Sequence, residues 1–212
     1  ENELEPKSIT IYLPKSNDII FNEIMADPNP QVALPEAKYI ELYNRTNYPI
    51  PLKGFQLNIG TKSDTIENGT INPKSYLLIC LEKDASLFEV FSPLIFASNI
   101  SSMTISGTQL SLTSNVGTII DFVQYSDSWH GTDEFKKDGG WSLERIDVNN
   151  LYPSKNNWKS STDKRGGTPC QQNSVAKENP DTILPTIKSY HLTNATIVVT
   201  FSKSMQKTDL LN

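Results

Sequence analysis

The feature that most limits the fold of this sequence is its periodicity. No sustained 3.6-residue apolar pattern occurs, and the chain instead offers many short runs rich in β-branched and aromatic residues, bounded by Gly, Pro, Asn or Asp. The clearest are Ser8 to Leu13, Ile19 to Ile24, Tyr39 to Tyr43, Phe55 to Ile59, Tyr76 to Leu81, Gln109 to Thr113, Thr118 to Tyr125, Ser142 to Asp147 and Thr196 to Phe201. This pattern predicts an all-β chain. In Tyr39-Ile40-Glu41-Leu42-Tyr43 the two-residue pleat puts Ile40 and Leu42 on one face and Glu41 with both tyrosines on the other. The first face is expected to be core and the second wet, with Glu23 and Glu41 pointing outward from paired strands.

Turn chemistry agrees with strands. Asn68-Gly69 can supply the positive φ angles of a tight hairpin, and Ser114-Asn115-Val116-Gly117 is expected to join two neighbouring antiparallel runs. One short connecting helix is predicted after Asp84 as N-cap, with Leu87, Phe88 and Phe91 on one side and Pro93 ending it.

Composition removes several function classes. Nineteen Lys and Arg against 24 Asp and Glu leave a net charge of −5, which supplies no field to hold a phosphate backbone. Nucleic acid is not an expected partner. No stretch approaches the ~18 apolar residues of a membrane span, so no membrane insertion is expected. The first residues lack the order of a signal peptide, and any targeting signal is expected outside this sequence. Two Cys and two His are too few for a disulfide scaffold or a Cys/His zinc cluster, and no cofactor is expected.

Three regions are expected: 1–17, a polar lead and the last strand of a preceding module; 18–175, one complete domain; and 176–212, a linker and the opening strands of a following module. Unpaired edges in the flanking strands are expected to seek a partner.

Candidate chemistry is sparse. Asn22, Glu23, Asp27, Asn29, Glu36 and Glu41 gather acid and amide groups early in the chain. Paired carboxylates can do acid/base work, and such oxygens could hold calcium near Asp27. No EF-hand rhythm or GxSxG elbow is present, and His130 is the sole histidine inside the central domain. The expectation is therefore that Glu23 and Glu41 are outward strand residues and that Asp27 and Asn29 bond their own loop. Arg145 is expected to pair across strands with an exposed carboxylate such as Glu41. Of the three tryptophans, Trp141 and Trp158 suit core or edge packing, whereas Trp129 stands in loop chemistry. Trp129, His130 and Tyr125 are the candidate ligand contacts.

Six segments, in this order, carry a family resemblance: "IIFNEIMADPNP" (Ile19 to Pro30), "LPEAKYIELYNRT" (Leu34 to Thr46), "IPLKGFQL" (Ile50 to Leu57), "LSLTSNVGTIIDFVQY" (Leu110 to Tyr125), "GWSLERID" (Gly140 to Asp147) and "NWKSSTDKRGGTP" (Asn157 to Pro169). Together they resemble the lamin tail domain. The chain departs from that pattern at Phe55, where the family commonly has Trp, and at Cys170, where it often has Gly. The resemblance implies an Ig-like antiparallel β-sandwich of the lamin-tail type over residues 18–175. The early segments are also similar to modules of exported multidomain proteins of the Bacteroidetes type, and the tail resembles the start of a bacterial Ig-like domain.

The implied role is a non-catalytic interaction or spacer module of a secreted or cell-surface bacterial protein. Its expected partners are other domains of the same chain, cell-surface proteins or glycans. The alternative is a carbohydrate-binding accessory domain that targets a linked enzyme. In an exported protein a Cys80 to Cys170 disulfide is permitted by compartment.

Overall fold

The computed structural model describes residues 12–152 and 154–203. Its strands run in chain order as β1 (Ile19–Met25), β2 (Tyr39–Asn44), β3 (Ile50–Pro51), β4 (Gln56–Ile59), β5 (Lys62–Thr65), β6 (Thr70–Ile71), β7 (Tyr76–Cys80), β8 (Leu94–Phe96), β9 (Gln109–Thr113), β10 (Ile119–Gln124), β11 (Leu143–Arg145), β12 (Trp158–Ser160), β13 (Ile187–Leu192) and β14 (Ile197–Phe201). A six-stranded sheet in the order β12-β11-β1-β2-β7-β8 stacks on a four-stranded sheet in the order β10-β9-β4-β5. All neighbours are antiparallel except β7 and β8. This is the expected Ig-like β-sandwich.

The alternation read from the sequence decides which side chains meet between the sheets. Ile19, Phe21 and Ile24 of β1, Ile40 and Leu42 of β2, and Leu77 and Ile79 of β7 face Leu57, Ile59, Leu110, Leu112, Ile120 and Val123, all buried. Each such aliphatic or aromatic side chain contributes ~1.5–3 kcal/mol when fully withdrawn from water. Strand β1 keeps this face only by breaking its own period. A bulge between Phe21 and Glu23 makes Asn22 the extra residue, so Phe21 points into the core while Glu23 pairs opposite Glu41 on the other side.

The outer face of the large sheet is covered. At one end Met25, Tyr39, Leu78 and Cys80 pack with Leu34, Ala37 and Phe88 in a second apolar cluster. In the middle the chain from 165 to 176 crosses as a strap without strand pairing, its amides bonded to side chains of the sheet.

Several local expectations are corrected. The connecting helix is a 3₁₀ segment, Glu82–Phe88, that follows Leu81 and has no side-chain cap from Asp84. At three residues per turn the consecutive Leu87 and Phe88 point about 120° apart, and Phe91 lies beyond the segment. Phe88 is buried, Phe91 is half-buried and Leu87 is exposed. Asn68-Gly69 does not close a hairpin between adjacent strands, because β5 pairs with β4 through Gly60-Thr61 and β6 pairs with β3. Ser114 to Gly117 does close the β9–β10 hairpin, where the Ser114 amide donates to the Thr118 carbonyl at 2.8 Å.

The strand expected over Ser8 to Leu13 lies largely outside the described residues. Tyr12 and Leu13 are not in a strand, and Tyr12 stacks on Tyr48 with ring centroids 4.6 Å apart. Among the described residues, strands β13 and β14 pair only with each other, and every residue of the two is exposed apart from Phe201.

Candidate functional site

The acidic residues singled out in the sequence do not share one surface. Glu36 and Asn29 are exposed, and Asp27 is half-buried at the end of β1, where its carboxylate accepts the Asn29 amide. Glu23 and Glu41, expected to be wet, are fully buried. The correction has a simple cause: alternation in β2 and the bulge in β1 put them on the outer face, and the strap then covered that face.

Glu144 of β11 joins them. Registers Glu23↔Glu144 and Glu23↔Glu41 set three carboxylates side by side across β11, β1 and β2, all with 0 % exposure. Like groups directly opposite one another in a sheet repel when ionised. Burial first, and then the neighbouring Glu144, push the Glu23 pKa up to about 7, against hydrogen bonds that favour its anion. Burial and then Glu23 hold the Glu41 carboxyl well above the ordinary glutamate range. Glu23 and Glu41 therefore retain protons at a pH where surface glutamates have lost theirs.

What these oxygens do is hold the strap. Glu23 Oε1 accepts the Thr168 amide at 2.8 Å, the Ser142 hydroxyl at 2.6 Å and the Tyr39 hydroxyl at 2.7 Å. Glu41 accepts the Cys170 amide and, at 2.8 Å, the Asn22 side-chain amide. Glu144 accepts the Thr168 hydroxyl at 2.9 Å, the Ser174 hydroxyl at 2.8 Å and the Val175 amide at 3.1 Å. Asn173 donates to the Asn22 and Arg145 carbonyls at 3.0 and 2.8 Å. A segment that makes no ladder thus has its backbone donors satisfied by carboxylates, which a buried backbone requires. The fit is close at Gly167, where an added Cβ would lie 2.4 Å from Glu23 Oε1 and 2.6 Å from the Tyr39 hydroxyl.

Arg145 is also corrected. It points inward from β11 and is buried. Its Nη2 meets Asp121 Oδ2 at 3.1 Å, its Nε donates to the Phe21 carbonyl at 2.8 Å, and its guanidinium lies 5.1 Å from the Trp158 ring centroid. Glu41 is on the opposite side of the sheet. The same alternation explains both, since Glu144 and Arg145 are consecutive and must face opposite ways.

The three candidate ligand contacts lie near one another at the end of β10. Tyr125 is buried with its hydroxyl donating to the Thr104 carbonyl at 2.7 Å, so its ring offers no open face. Trp129 is half-buried against Trp158, with ring centroids 5.9 Å apart, and does not stand out as a stacking platform. His130 Nδ1 is 2.8 Å from the Ser160 hydroxyl, and burial pulls its pKa down to about 4. His130, Tyr125 and Trp141 border a cavity of about 20 Å³, room for one water molecule. Among the described residues no group of three or more His, Cys, Asp or Glu side chains is placed to hold a metal ion. Cys80 and Cys170 are free thiols that border the same apolar cluster. Burial raises their pKa values to about 11 and about 12, with Glu41 adding to the rise at Cys170.

Sequence reasoning missed Ser142, Glu144, Thr168, Asn173 and Ser174 as members of the buried row. A signal was present: "NEI", "IELYN" and "SLER" each place one glutamate beside an apolar strand neighbour, and "GGTP" supplies two residues without bulk. All four motifs meet at this cluster. A family model described as Lamin Tail Domain matches residues 14–127, which takes in Glu23 and Glu41 and stops before Glu144 and the strap. No curated protein matches the chain.

Proposed function

This chain belongs to the lamin tail domain family, and from that membership we propose that it serves as a non-catalytic interaction or spacer module of an exported, multidomain bacterial surface protein. The family is one of Ig-like domains, compatible with a non-catalytic role. The observation that carries the reading is the fate of the carboxylates. Glu23, Glu41 and Glu144 stand side by side, as acid/base chemistry would want, yet each is sealed under the strap and bonded to it. A catalytic pair needs access for a substrate and an atom within reach to protonate. Here the reachable atoms are the protein's own backbone amides and side-chain hydroxyls.

The multidomain part of the proposal draws on the β13–β14 hairpin. Two strands are marginal alone in water, and Tyr190, Leu192, Ile197 and Val199 are all exposed on it. Such a hairpin suits the opening of a further β-sandwich. Export and surface location rest on the similarity to exported modules.

The test is a broad hydrolysis panel of polysaccharides, nucleic acids and phosphoesters with the full chain. No turnover above a heat-denatured control is expected. Hydrolysis that is lost on Glu23→Gln would overturn the non-catalytic reading.

A further inference from the structure

The chain enters and leaves the sandwich at the same pole. Strand β1 departs from that pole at Ile19, β2 returns to it at Asn44, and β11 returns to it at Arg145, as their antiparallel registers require. On the entry side, the Asn17 amide donates to the Ile120 carbonyl at 2.6 Å, and Arg45 donates from Nη1 to the Asn17 carbonyl at 2.9 Å. The same guanidinium reaches Asn149 Oδ1 at 3.4 Å.

On the exit side, the Asn179 amide donates to Asp147 at 2.9 Å, and Asn150 donates to the Asn179 carbonyl at 2.7 Å. Entry and exit are thus linked through Arg45 and the 147–150 turn. Ser16 and Asn17 line one open cleft of about 650 Å³ together with Asn149, Pro180 and Asp181. Polypeptide continues on both sides, from residue 1 and to residue 212.

We propose that the domain is carried sideways on its parent chain, joined through this one pole by a stalk of two adjacent segments, and adds almost no length between the modules on its two sides. The inference rests on the reading of the chain as a module of a longer protein, and it decides between the two roles left open there in favour of display over spacing. A domain entered at one end and left at the other adds its strand height to the contour, ~20 Å for six residues at ~3.3 Å each, before its loops are counted. One entered and left at the same end adds only the gap between two adjacent segments.

The stalk is fastened to opposite sheets. Asn17 is tied to β10 of the small sheet, while Asn179 is tied to the turn that extends β11 of the large one. Pulling the two flanks apart therefore loads the base of the sandwich and leaves the far pole unstressed. That far pole carries the loops after β10, where Phe135 is 70 % exposed and packs edge-on against Trp141 at 6.2 Å.

The experiment measures two distances in the full chain by double electron–electron resonance. Spin labels are attached at genetically encoded non-natural residues, which leaves Cys80 and Cys170 untouched. One pair replaces Lys15 and Thr182, both exposed beside the stalk, and the other replaces Lys15 and Phe135 across the body. The stalk pair is expected to be shorter than the pole-to-pole pair by about 20 Å, one strand height. A stalk distance equal to or longer than the pole-to-pole distance, or shorter by less than half that amount, overturns the proposal. Urea unfolding of each labelled protein confirms that the sandwich is intact. Hydrolytic activity would sink the non-catalytic reading and leave these distances unchanged, so the two failures are separable.

Discussion

Replacing Glu23 by Gln should change the pH dependence of stability more than stability itself. The amide keeps the shape of the side chain and retains an oxygen for the three donors that converge on Oε1, namely the Thr168 amide and the Ser142 and Tyr39 hydroxyls. What it removes is the proton. In the folded protein Glu23 titrates at about 7 rather than at the ordinary 4.5. Below pH 4.5 the group is protonated whether the chain is folded or not, and its contribution to stability is fully present. As pH rises the unfolded chain releases this proton first, so the contribution falls and is lost once pH passes about 7. The gap corresponds to about 3 kcal/mol.

His130 works the other way. Its pKa is lowered to about 4, so its contribution is present above pH 6.5 and is lost as pH falls through 4. In the wild type the two opposing trends partly mask one another. Subtracting the wild-type unfolding free energy from that of Glu23→Gln cancels the distant histidine and leaves Glu23 together with its coupling to Glu41. Urea unfolding followed by tryptophan fluorescence, from pH 4.5 to pH 8, should show the variant gaining about 3 kcal/mol on the wild type across that range. A flat difference would mean that Glu23 is not protonated in the folded row. A difference that falls with pH would mean that Glu23 is its anion, and either result refutes the reasoning.

Other outcomes rest on the same contacts. Asp121→Ala leaves the buried Arg145 guanidinium without its carboxylate and should cost about 3–5 kcal/mol, measured by urea midpoint. Asp163→Ala, which breaks the more exposed pair with Arg165, should cost no more than about 1 kcal/mol. Gly167→Ala drives a methyl group against Glu23 and Tyr39 and should cost about 1–3 kcal/mol, with faster amide exchange at Thr168, Cys170 and Val175 than at the core strand β9. Unchanged exchange at those amides would show that the strap does not depend on the row. Alkylation of Cys80 and Cys170 at pH 8 should be at least about 100-fold slower in the native protein than in urea, since both thiols are held protonated; equal rates would contradict their burial.

Much of the architecture was legible because it is local. Ile40 and Leu42 face the core for the reason read in the sequence, and Ser114 to Gly117 turns where its residues favour a turn. The errors are also instructive. The 82–88 segment starts without a side-chain cap and buries only Phe88, and it is a 3₁₀ turn where an α-helix was expected. Strands β3, β6, β8 and β12 have only two or three residues each, below the length at which alternation can be recognised.

The candidate site shows the limit most clearly. Period-2 alternation assigned Glu41 to the face that it does occupy, whereas Glu23 reaches that face only through the bulge at Asn22, and a pleat can say nothing more than which face. Whether that face meets water depended on Thr168, which is 145 residues from Glu23 in the chain. The longer strands, their inward residues and the family motifs could be read from the residues alone, because these depend on neighbours one or two positions away. The burial of an outward carboxylate, the inward turn of Arg145 to Asp121 and the sharing of one pole by both ends of the domain emerged with the folded chain. Those facts depend on which distant segments are brought together, and no local period encodes that.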